Sequence, residues 1–342
     1  MSFEIKRGVN ISHWLSQSER RGKERAEWFQ ERDVQYIARL GYDHIRLPFD
    51  EVQLWDKQGK LDAEALALMN SALEWCRAAG LRCVLDLHIL RSHHFISREQ
   101  PMLFTDPAEA ERFNGLWRSL SAEVGSWPTD MVAYELLNEA VARDPEDWNR
   151  VAHGAYATLR ELEPERTIVL GSNEWNSAHT YDHLRIPEGD PNLILTYHFY
   201  EPFLVTHYRA PWTPWGAYAG PIHYPGRIIP QEGEPELRAL SQRLAEERGL
   251  TPAQVEQRYQ QAVQPYDRNS MVAAMQGPLI AHVCTGLPIY CGEFGCYEKC
   301  PQAIRLAWYA DILSVFQEFD IAWANWDYKG GFGIITPEGQ DT

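Results

Sequence analysis

The sequence lacks the features of a membrane-spanning, nucleic-acid-binding or dinucleotide-binding chain. It has no apolar run of 18 residues and no signal peptide, so we expect no membrane span. Basic residues number only 32 against 48 acidic ones, and the net charge of -16 argues against nucleic acid as a partner. After the first predicted strand, "RGVN" has one glycine and no glycine-rich dinucleotide fingerprint. The compartment stays open, because a cytoplasmic chain and a secreted chain without its leader fit equally.

The six cysteines lack the paired C-x-x-C spacing of a structural zinc site. Cys83 and Cys291 lie inside predicted strands, where a free cysteine packs as a small apolar residue. We therefore expect free thiols and no bound metal.

Aromatic residues, in contrast, are abundant. The chain has 13 Trp and 16 Tyr. Tryptophan either fills a core or supplies the flat apolar face on which a sugar ring stacks. Composition leaves both alternatives open.

Short apolar segments alternate with segments of helical periodicity along the chain. Helices are predicted over residues 26–40, 63–79, 107–124, 146–163, 266–283 and 302–318, with a helical turn near 178–184. The predicted strands are "FEIKRGVNI", "HIRLPF", "RCVLDLHI", "MVAYELLNE", "TIVLGSN", "LILTYHFY", "PIYCGEFG" and "IAWANWDY". There are eight short strands separated by helices, and most of them are continuously apolar. This pattern favours an α/β fold, a (β/α)8 TIM barrel, over a doubly wound open sheet.

Two segments depart from a plain barrel. A long insertion, about residues 201–265, follows the sixth strand; its first half is rich in Trp, Pro, Tyr and Gly, and its second half, about 234–264, is helical and charged. Such insertions usually shape the rim of a barrel's active site. After the eighth strand, "GGFGIITPEGQDT" shows no helix. We predict a single catalytic domain over residues 1–342 with the insertion at its rim.

Polar residues follow the predicted strands at the barrel end where chemistry takes place. Glu139 ends the fourth predicted strand, and Glu293 ends the seventh. Each alone has a structural explanation, such as a helix cap for Glu139. Together, two carboxylates facing each other across a barrel mouth fit glycoside hydrolysis, in which one protonates the leaving oxygen and the other attacks or activates water.

The neighbouring residues suggest how the two carboxylates differ. Arg46 is a fixed cation that would keep one carboxylate ionised, as a nucleophile requires, and Tyr200 would donate a hydrogen bond to it. Asn138 would bind a sugar hydroxyl, and Trp326 would form the floor under the reacting ring. The other glutamate, in a less cationic setting, would keep its proton and act as the acid.

These residues resemble glycoside hydrolase family 5 of clan A, a family of cellulases, mannanases and related enzymes. The matching segments are "RGVNISHWL", "IRLPFD", "LDLH", "LLNEA", "LTYHFYEPFLVTH", "YCGEFG" and "WANWDYKGGFGI", which occur in order over nearly the whole chain. The resemblance implies a retaining enzyme with Glu139 as acid/base and Glu293 as nucleophile, and no metal or organic cofactor. It also implies that the surrounding site residues are Arg46, His88, Asn138, His198, Tyr200 and Trp326.

Some positions depart from familiar family members. "LHILRSHHF" replaces the turn that relatives often carry after the third strand, and "VTHY" replaces the more usual "FTHQ". His93, His94 and Trp175 are further candidates for substrate contact. Because of these departures, the sequence does not identify the substrate, although the expected reaction is the same.

The leading hypothesis is an endo-β-1,4-glucanase that acts, as a monomer, on a β-linked oligo- or polysaccharide. The alternatives within the family are a β-mannanase, a xyloglucanase and an exo-acting β-glucanase or β-glucosidase. From other classes come an inactive sugar-binding barrel, which would lack one of the two glutamates, and a metal-dependent hydrolase using His88, His93 and His94. The metal enzyme would carry a His-x-His pair on its first strand, where "NISHW" offers only His13.

Overall fold

Eight parallel strands close into a barrel in the part of the chain that the structure describes, residues 3–97, 99–248 and 251–336. The structure is a computed structural model. Around the barrel the strands follow the order β1-β10-β9-β6-β5-β4-β3-β2. β1 pairs in parallel with β10 and β2, and the neighbouring pairs from β2 through β6 are also parallel. The predicted (β/α)8 TIM barrel is therefore confirmed.

The barrel strands are short, and a separate antiparallel pair of two-residue strands lies in the insertion. The strands are β1 Arg7–Asn10, β2 His44–Asp50, β3 Arg82–Ile89, β4 Val132–Glu135, β5 Ile168–Gly171, β6 Leu193–Phe199, β7 Gly226–Arg227, β8 Pro265–Tyr266, β9 Ile289–Phe294 and β10 Ala322–Asn325.

Helices connect most of the strands. The α-helices are α1 Gly22–Trp28, α2 Glu31–Arg39, α3 Glu51–Leu54, α4 Ala63–Ala79, α5 Met102–Thr105, α6 Pro107–Val124, α7 Pro145–Leu162, α8 Asn173–Asn176, α9 Phe203–Thr206, α10 Glu234–Arg248, α11 Pro252–Val263, α12 Arg268–Ala274, α13 Gln276–Thr285 and α14 Gln302–Glu318. Three 3-10 helices span Ala178–His183, Pro214–Ala217 and Gln231–Gly233 within the described residues. None of the described helices combines the length and apolarity that a bilayer crossing requires.

The long amphipathic helices begin and end close to their predicted limits. α4 matches the prediction for residues 63–79: the Asp62 side chain accepts a hydrogen bond from Ala65 N, and Gly80 takes the left-handed conformation that ends the helix. α6, α7 and α14 also agree with their predictions to within one residue.

Two predicted helices are each broken in two. The helix expected over 26–40 is interrupted because Gln30 is extended and caps a new helix, exchanging hydrogen bonds with Asp33 in a capping box. The helix expected over 266–283 breaks at Met275, and Pro278 lies near the start of the next helix. The helical spacing of apolar residues continues through both breaks, so the sequence pattern predicts one helix at each place.

The barrel interior has an apolar layer with a polar layer above it. The apolar layer contains Phe3, Ile5, Val84, Ala133, Val169, Ile194, Tyr290, Ala322 and Ala324. Because side chains on a strand alternate between faces, Asp86 and Glu135 follow Val84 and Ala133 on the inner face two residues later. Asp86 and Glu135 are also paired in register between β3 and β4. The polar layer thus lies at the end of the barrel where the catalytic candidates were predicted.

Gly8 shows how tightly the layer below is packed. A Cβ atom at this position would lie 2.2 Å from His44 Nε2, which itself lies 3.1 Å from the Tyr290 hydroxyl. A side chain on β1 would displace this buried imidazole, so glycine is required here by space.

The chain divides into two compact units. The first contains the described residues within 3–198, 277–293 and 321–336 and carries most of the barrel strands. The second contains the described residues within 199–276 and 294–320. Within it, Trp308 Nε1 donates to Glu201 O (2.9 Å) and the Tyr224 hydroxyl to Asp311 Oδ2 (2.7 Å). The prediction of a single domain with a rim insertion stays a prediction.

The segment after β10 holds no helix over the described residues 326–336, as predicted. The rest of that prediction concerns residues 337–342, which lie outside the described residues.

Candidate active site

The two predicted catalytic glutamates come from different strands of the barrel. Glu293 lies on β9, and Glu139 follows β4 by four residues. Glu139 has φ of 47°, a left-handed conformation that is uncommon for a residue other than glycine and often marks functional positions. The structure brings the two side chains together: one carboxylate oxygen of each lies within 4.8 Å of the other.

Arg46 is the centre of the polar layer. Its buried guanidinium donates from Nη1 to Glu293 Oε1 at 2.7 Å and to Asn10 Oδ1 at 2.9 Å. Nε and Nη2 bind the two oxygens of Glu135 at 2.7 and 2.9 Å, a bidentate pair that fixes the plane of the guanidinium. Although burial lowers its pKa, the carboxylates of Asp86, Glu135 and Glu293 hold the pKa of Arg46 well above its usual value.

More carboxylates surround Arg46 than one cation can neutralise. Asp86 Oδ2 lies 3.0 Å from Nη2, in addition to the contacts with Glu135 and Glu293. Burial raises the pKa of Asp86 and that of Glu135, and the charge of Arg46 lowers both in part. The resulting pKa is about 7 for each group. Near neutral pH this layer therefore takes up protons readily, and Arg46 stays charged beside Glu293.

Glu139 is suited to hold a proton. Its side chain is only 13% exposed. Burial, followed by repulsion from the Glu293 carboxylate, raises the pKa of Glu139 well above its usual value. No Arg or Lys contacts it directly among the described residues. This is the environment of a general acid.

His198 lies between the two glutamates. Its Nδ1 is 2.9 Å from Glu139 Oε1 and 3.6 Å from Glu293 Oε2, and its Nε2 is 3.3 Å from Asn176 Nδ2. Burial and the nearby Arg46 charge lower the pKa of His198 well below its usual value. A neutral imidazole orients Glu139 without supplying a second cation.

Asn138 has one end fixed and the other without a partner. Its Oδ1 accepts from Arg46 Nη2 at 2.9 Å, whereas its buried Nδ2 has no hydrogen-bond partner among the described residues. A buried amide donor without a partner is costly unless a ligand completes it. Asn138 is thus held with a donor free for a substrate hydroxyl.

His88 and Trp326 form an aromatic pair. Their rings stack with centroids 5.6 Å apart and an interplanar angle of 6°. His88 Nδ1 lies 2.7 Å from Asp86 Oδ2, and its Nε2 has no partner among the described residues. Burial lowers the pKa of His88 to about 3, so the ring is neutral.

The remaining predicted contacts differ in their surroundings. His93 is buried against Phe104, with ring centroids 5.5 Å apart, while His94 is half-buried beside Phe95. Trp175 is 51% exposed and lies within the α8 turn, two residues after Asn173. Tyr200 belongs to the second unit, where its ring meets His207 edge-on at 5.1 Å.

The residues Glu139, His198 and Glu293 also form the group that could hold a metal ion within the described part of the chain. Each offers a ligand atom within 4.8 Å of the other two. His88, His93 and His94, the ligands of the metal-dependent alternative, do not form such a group among the described residues.

Sequence reasoning missed Glu135, Asn10 and Asn176. Glu135 lies in an otherwise apolar, buried strand, and a carboxylate there needs a buried cation, which is Arg46. The charged Glu135 within an apolar run of the sequence could have indicated such a buried ion pair. Asn10 contacts Arg46, and Asn176 contacts His198. Each contact joins residues far apart in the chain, so the sequence around Asn10 or Asn176 gives no sign of it.

Chemically, the arrangement provides a carboxylate held by an arginine, a second carboxyl group close by whose pKa is raised, and donors around the space between them. One oxygen of each carboxylate lies within 4.8 Å of the other, which fits the roughly 5 Å spacing of a pair in which one carboxylate attacks the sugar directly. Double displacement at a glycosidic bond needs these groups.

Comparisons with known proteins agree with this chemistry. The family profile described as "Cellulase (glycosyl hydrolase family 5)" matches residues 16–331. Endoglucanase C of Acetivibrio thermocellus is 30% identical over 329 residues, covering 95% of this chain and 91% of that protein. Cellodextrinase A of Ruminococcus flavefaciens is 28% identical over 320 residues, covering 93% and 84%.

Solved structures show the same fold. Thermotoga maritima Cel5A in complex with cellobiose superposes with a TM-score of 0.70 at 22% identity, covering 97% of this chain and 92% of that one. The same protein has also been solved with mannotriose. At this identity the likeness concerns the fold.

Proposed function

The chain belongs to glycosyl hydrolase family 5, and from this premise we propose that it is a retaining endo-β-1,4-glucanase that cleaves β-linked glucan by double displacement. The observation that carries the proposal is the pair Glu139 and Glu293, with carboxylate oxygens within 4.8 Å and only Glu293 bound to Arg46. The names endoglucanase and cellodextrinase of the relatives favour glucan over mannan.

In the first step, Glu293 attacks the anomeric carbon and forms a glycosyl-enzyme ester. The C–O bond to the leaving sugar breaks, and the proton of Glu139 passes to that oxygen. Arg46 keeps Glu293 ionised until attack, because its Nη1 binds the Oε1 atom at 2.7 Å. The same contact also stabilises Glu293 as a leaving group in the second step.

In the second step, Glu139 is a carboxylate and removes a proton from water. The water attacks the anomeric carbon from the face that the leaving sugar has vacated, and the ester to Glu293 breaks. Two inversions give net retention. His198 holds Glu139 through the 2.9 Å contact in both protonation states, since its neutral ring can donate to a carboxylate or accept from a carboxyl group.

The other predicted residues bind the sugar next to the reacting bond. The free Nδ2 of Asn138 would donate to the hydroxyl beside the anomeric carbon, and Nε2 of His88 would bind another hydroxyl. Trp326, supported by the stacked His88, would form the floor under this ring. The role expected for Tyr200 stays a prediction.

Product analysis tests the function directly. The protein is incubated with β-1,4-glucan, mixed-linkage glucan, mannan and xyloglucan, and the anomer of the first product is recorded by NMR. We expect β-1,4-glucan to be cleaved internally, with solution viscosity falling before reducing ends accumulate, and the β anomer to appear first. Preferred cleavage of mannan or xyloglucan would reassign the substrate, and an α anomer would exclude double displacement.

A chelator serves as the control for the metal-dependent alternative. Dialysis against EDTA leaves the rate unchanged in this account, because the charge at Glu293 is stabilised by Arg46. Loss of activity that added metal restores would instead assign the Glu139, His198 and Glu293 group to a cation.

A further inference from the structure

Two arginines in the segment between β1 and α1 have no carboxylate partner among the described residues. Arg20 Nη1 donates to His13 O at 2.7 Å and to Ser18 Oγ at 3.1 Å. Arg21 donates to two main-chain oxygens, Arg20 O at 2.7 Å and Val52 O at 3.0 Å. The chain has 48 acidic residues and a net charge of -16, so carboxylates are plentiful. These two guanidinium groups are instead held by neutral oxygens, which leaves their charge for an anion from outside.

Arg20 packs against an aromatic ring. Its Cζ atom lies 3.8 Å from the ring centroid of Trp28, a distance typical of a close cation–π contact. Trp28 is itself fixed, because its Nε1 donates to Ser12 O at 3.3 Å. The hydrogen bonds of the Arg20 side chain to described residues all use Nη1, so the edge formed by Nε and Nη2 is open. Such a planar fork matches the two oxygens of a carboxylate.

The segment that leads to Arg20 is tied to the barrel and strained. His13 and Gln17 have φ of 56° and 47°, left-handed conformations that are uncommon for residues with side chains. Gln17 N donates to Asp50 Oδ2 at 2.7 Å, and Asp50 N donates to Leu15 O at 2.8 Å, so the segment is bound to the end of β2. Strain of this kind is retained where the surrounding structure fixes it, most often at functional sites.

His13 connects Arg20 to the place of reaction. The His13 ring meets Trp326 edge-on with centroids 6.3 Å apart, and His13 O is the atom that Arg20 binds. In the proposed function, Trp326 forms the floor under the sugar that bonds to Glu293. The strand before His13, β1, neighbours β10 and β2, whereas Glu139 follows β4. Arg20 therefore lies beside the part of the substrate that stays on the enzyme, and away from the sugar that leaves.

We propose that Arg20, with Arg21 beside it, binds a carboxylate on the sugar joined to the non-leaving side of the reacting ring, so that the substrate is a β-linked glucan with acidic sugar units. The proposal rests on the proposed function and specifies its substrate class. A carboxylate at C6 of a glucose unit, as in a uronic acid, leaves the β-linked chain itself unchanged. A local cation is needed for such a substrate, because the net charge of -16 otherwise repels it.

The test compares two aryl glycosides with the same leaving group. One is 2,4-dinitrophenyl β-cellobioside, and the other carries a carboxylate in place of the C6 hydroxymethyl group of its terminal glucose unit. We expect kcat/KM of the wild type to be about fivefold to tenfold higher for the acidic substrate, and Arg20→Gln to lower this ratio to about one or below. Arg20→Lys keeps the charge without the fork and should retain part of the preference. Equal kcat/KM values in the wild type, or a preference that survives Arg20→Gln, would overturn the proposal.

Arg77→Gln is the matched control. Arg77 also lies over a tryptophan, with its Cζ atom 5.5 Å from the ring centroid of Trp127, and the substitution removes the same charge. Arg77 belongs to the last turn of α4, which leads into β3, so it lies at the opposite end of the barrel from the active site. This variant should keep the ratio of the wild type. Loss of the preference here would assign it to the charge of the whole protein and not to Arg20.

A neutral analogue separates charge from shape. A carboxamide in place of the carboxylate has nearly the same size, and the wild type should not prefer it to the cellobioside. Raising the salt concentration from about 0.01 M to about 1 M should reduce the preference for the acidic substrate, because exposed charges are screened. A preference for the carboxamide, or one that salt does not change, would contradict the proposal. If the wild type cleaves none of the three substrates, the proposed function itself fails, whereas cleavage of the cellobioside alone overturns only this proposal.

Discussion

Glu293→Ala abolishes turnover of both cellotetraose and activated aryl cellobiosides, by about 10⁴-fold or more in kcat. Alanine offers no oxygen to attack the anomeric carbon, so the covalent step is lost for every leaving group. The measurement is the rate of each substrate with purified variant, with circular dichroism as the check on folding. Activity that survives the substitution would contradict the assignment.

The fold should tolerate this change. Arg46 keeps its bidentate contact with Glu135 and its contacts with Asn10, Asn138 and Asp86 when Glu293 is removed. One negative charge fewer also relieves repulsion in a layer with excess carboxylates. We expect the melting temperature to stay within about 3 °C of the wild type.

Azide distinguishes loss of the nucleophile from general damage. A small anion can occupy the space of the missing carboxylate and attack an activated aryl β-cellobioside from the same face. Glu293→Ala should then regain part of its rate and yield the α-glycosyl azide, because a single displacement inverts the anomeric centre. A β-glycosyl azide from this variant would show that the attacking group lies elsewhere.

Glu139→Ala separates substrates by their leaving groups. Cellotetraose, which needs its leaving oxygen protonated, should be cleaved about 10²- to 10⁴-fold more slowly. Formation of the glycosyl-enzyme from 2,4-dinitrophenyl β-cellobioside, measured as the initial burst of phenol, should change by about tenfold at most, because this phenolate leaves without a proton. Equal losses on both would count against Glu139 as the acid.

The pH profile gives an independent check on Glu139. Burial and Glu293 raise its pKa, and the protonated form is the active one in the first step. The kcat/KM for cellotetraose should therefore fall as pH rises through the raised pKa. This alkaline decline should be absent for the Ala variant with the dinitrophenyl substrate, with Glu139→Gln as the isosteric control.

Local patterns were sufficient for the barrel. Helix α4 could be predicted because Asp62, Gly80 and an apolar stripe between them mark its two ends and its buried face. Glu139 and Glu293 could be chosen because barrel enzymes place their chemistry where the strands end. These signals lie within a few residues of the positions they identify.

The remaining features depend on contacts between distant segments. The break at Gln30 needs a capping interaction within an otherwise helical pattern, and the role of Glu135 depends on Arg46, 89 residues away. The pKa of Glu139 is raised by burial and by Glu293, which no local window contains. Sequence periodicity reports which face is buried but not which partner lies there.

In the proposed mechanism, Glu293 bonds covalently to the sugar while Glu139 supplies the proton. The direct measurement uses a 2-deoxy-2-fluoro cellobioside with a dinitrophenyl leaving group, which forms the ester quickly and hydrolyses it slowly, followed by mass spectrometry of the proteolysed protein. We expect one added disaccharide per chain, on the peptide that contains Glu293, with the burst of phenol equal to the protein concentration. A label on any other residue, or rapid turnover with an inverted product and no label, would contradict it.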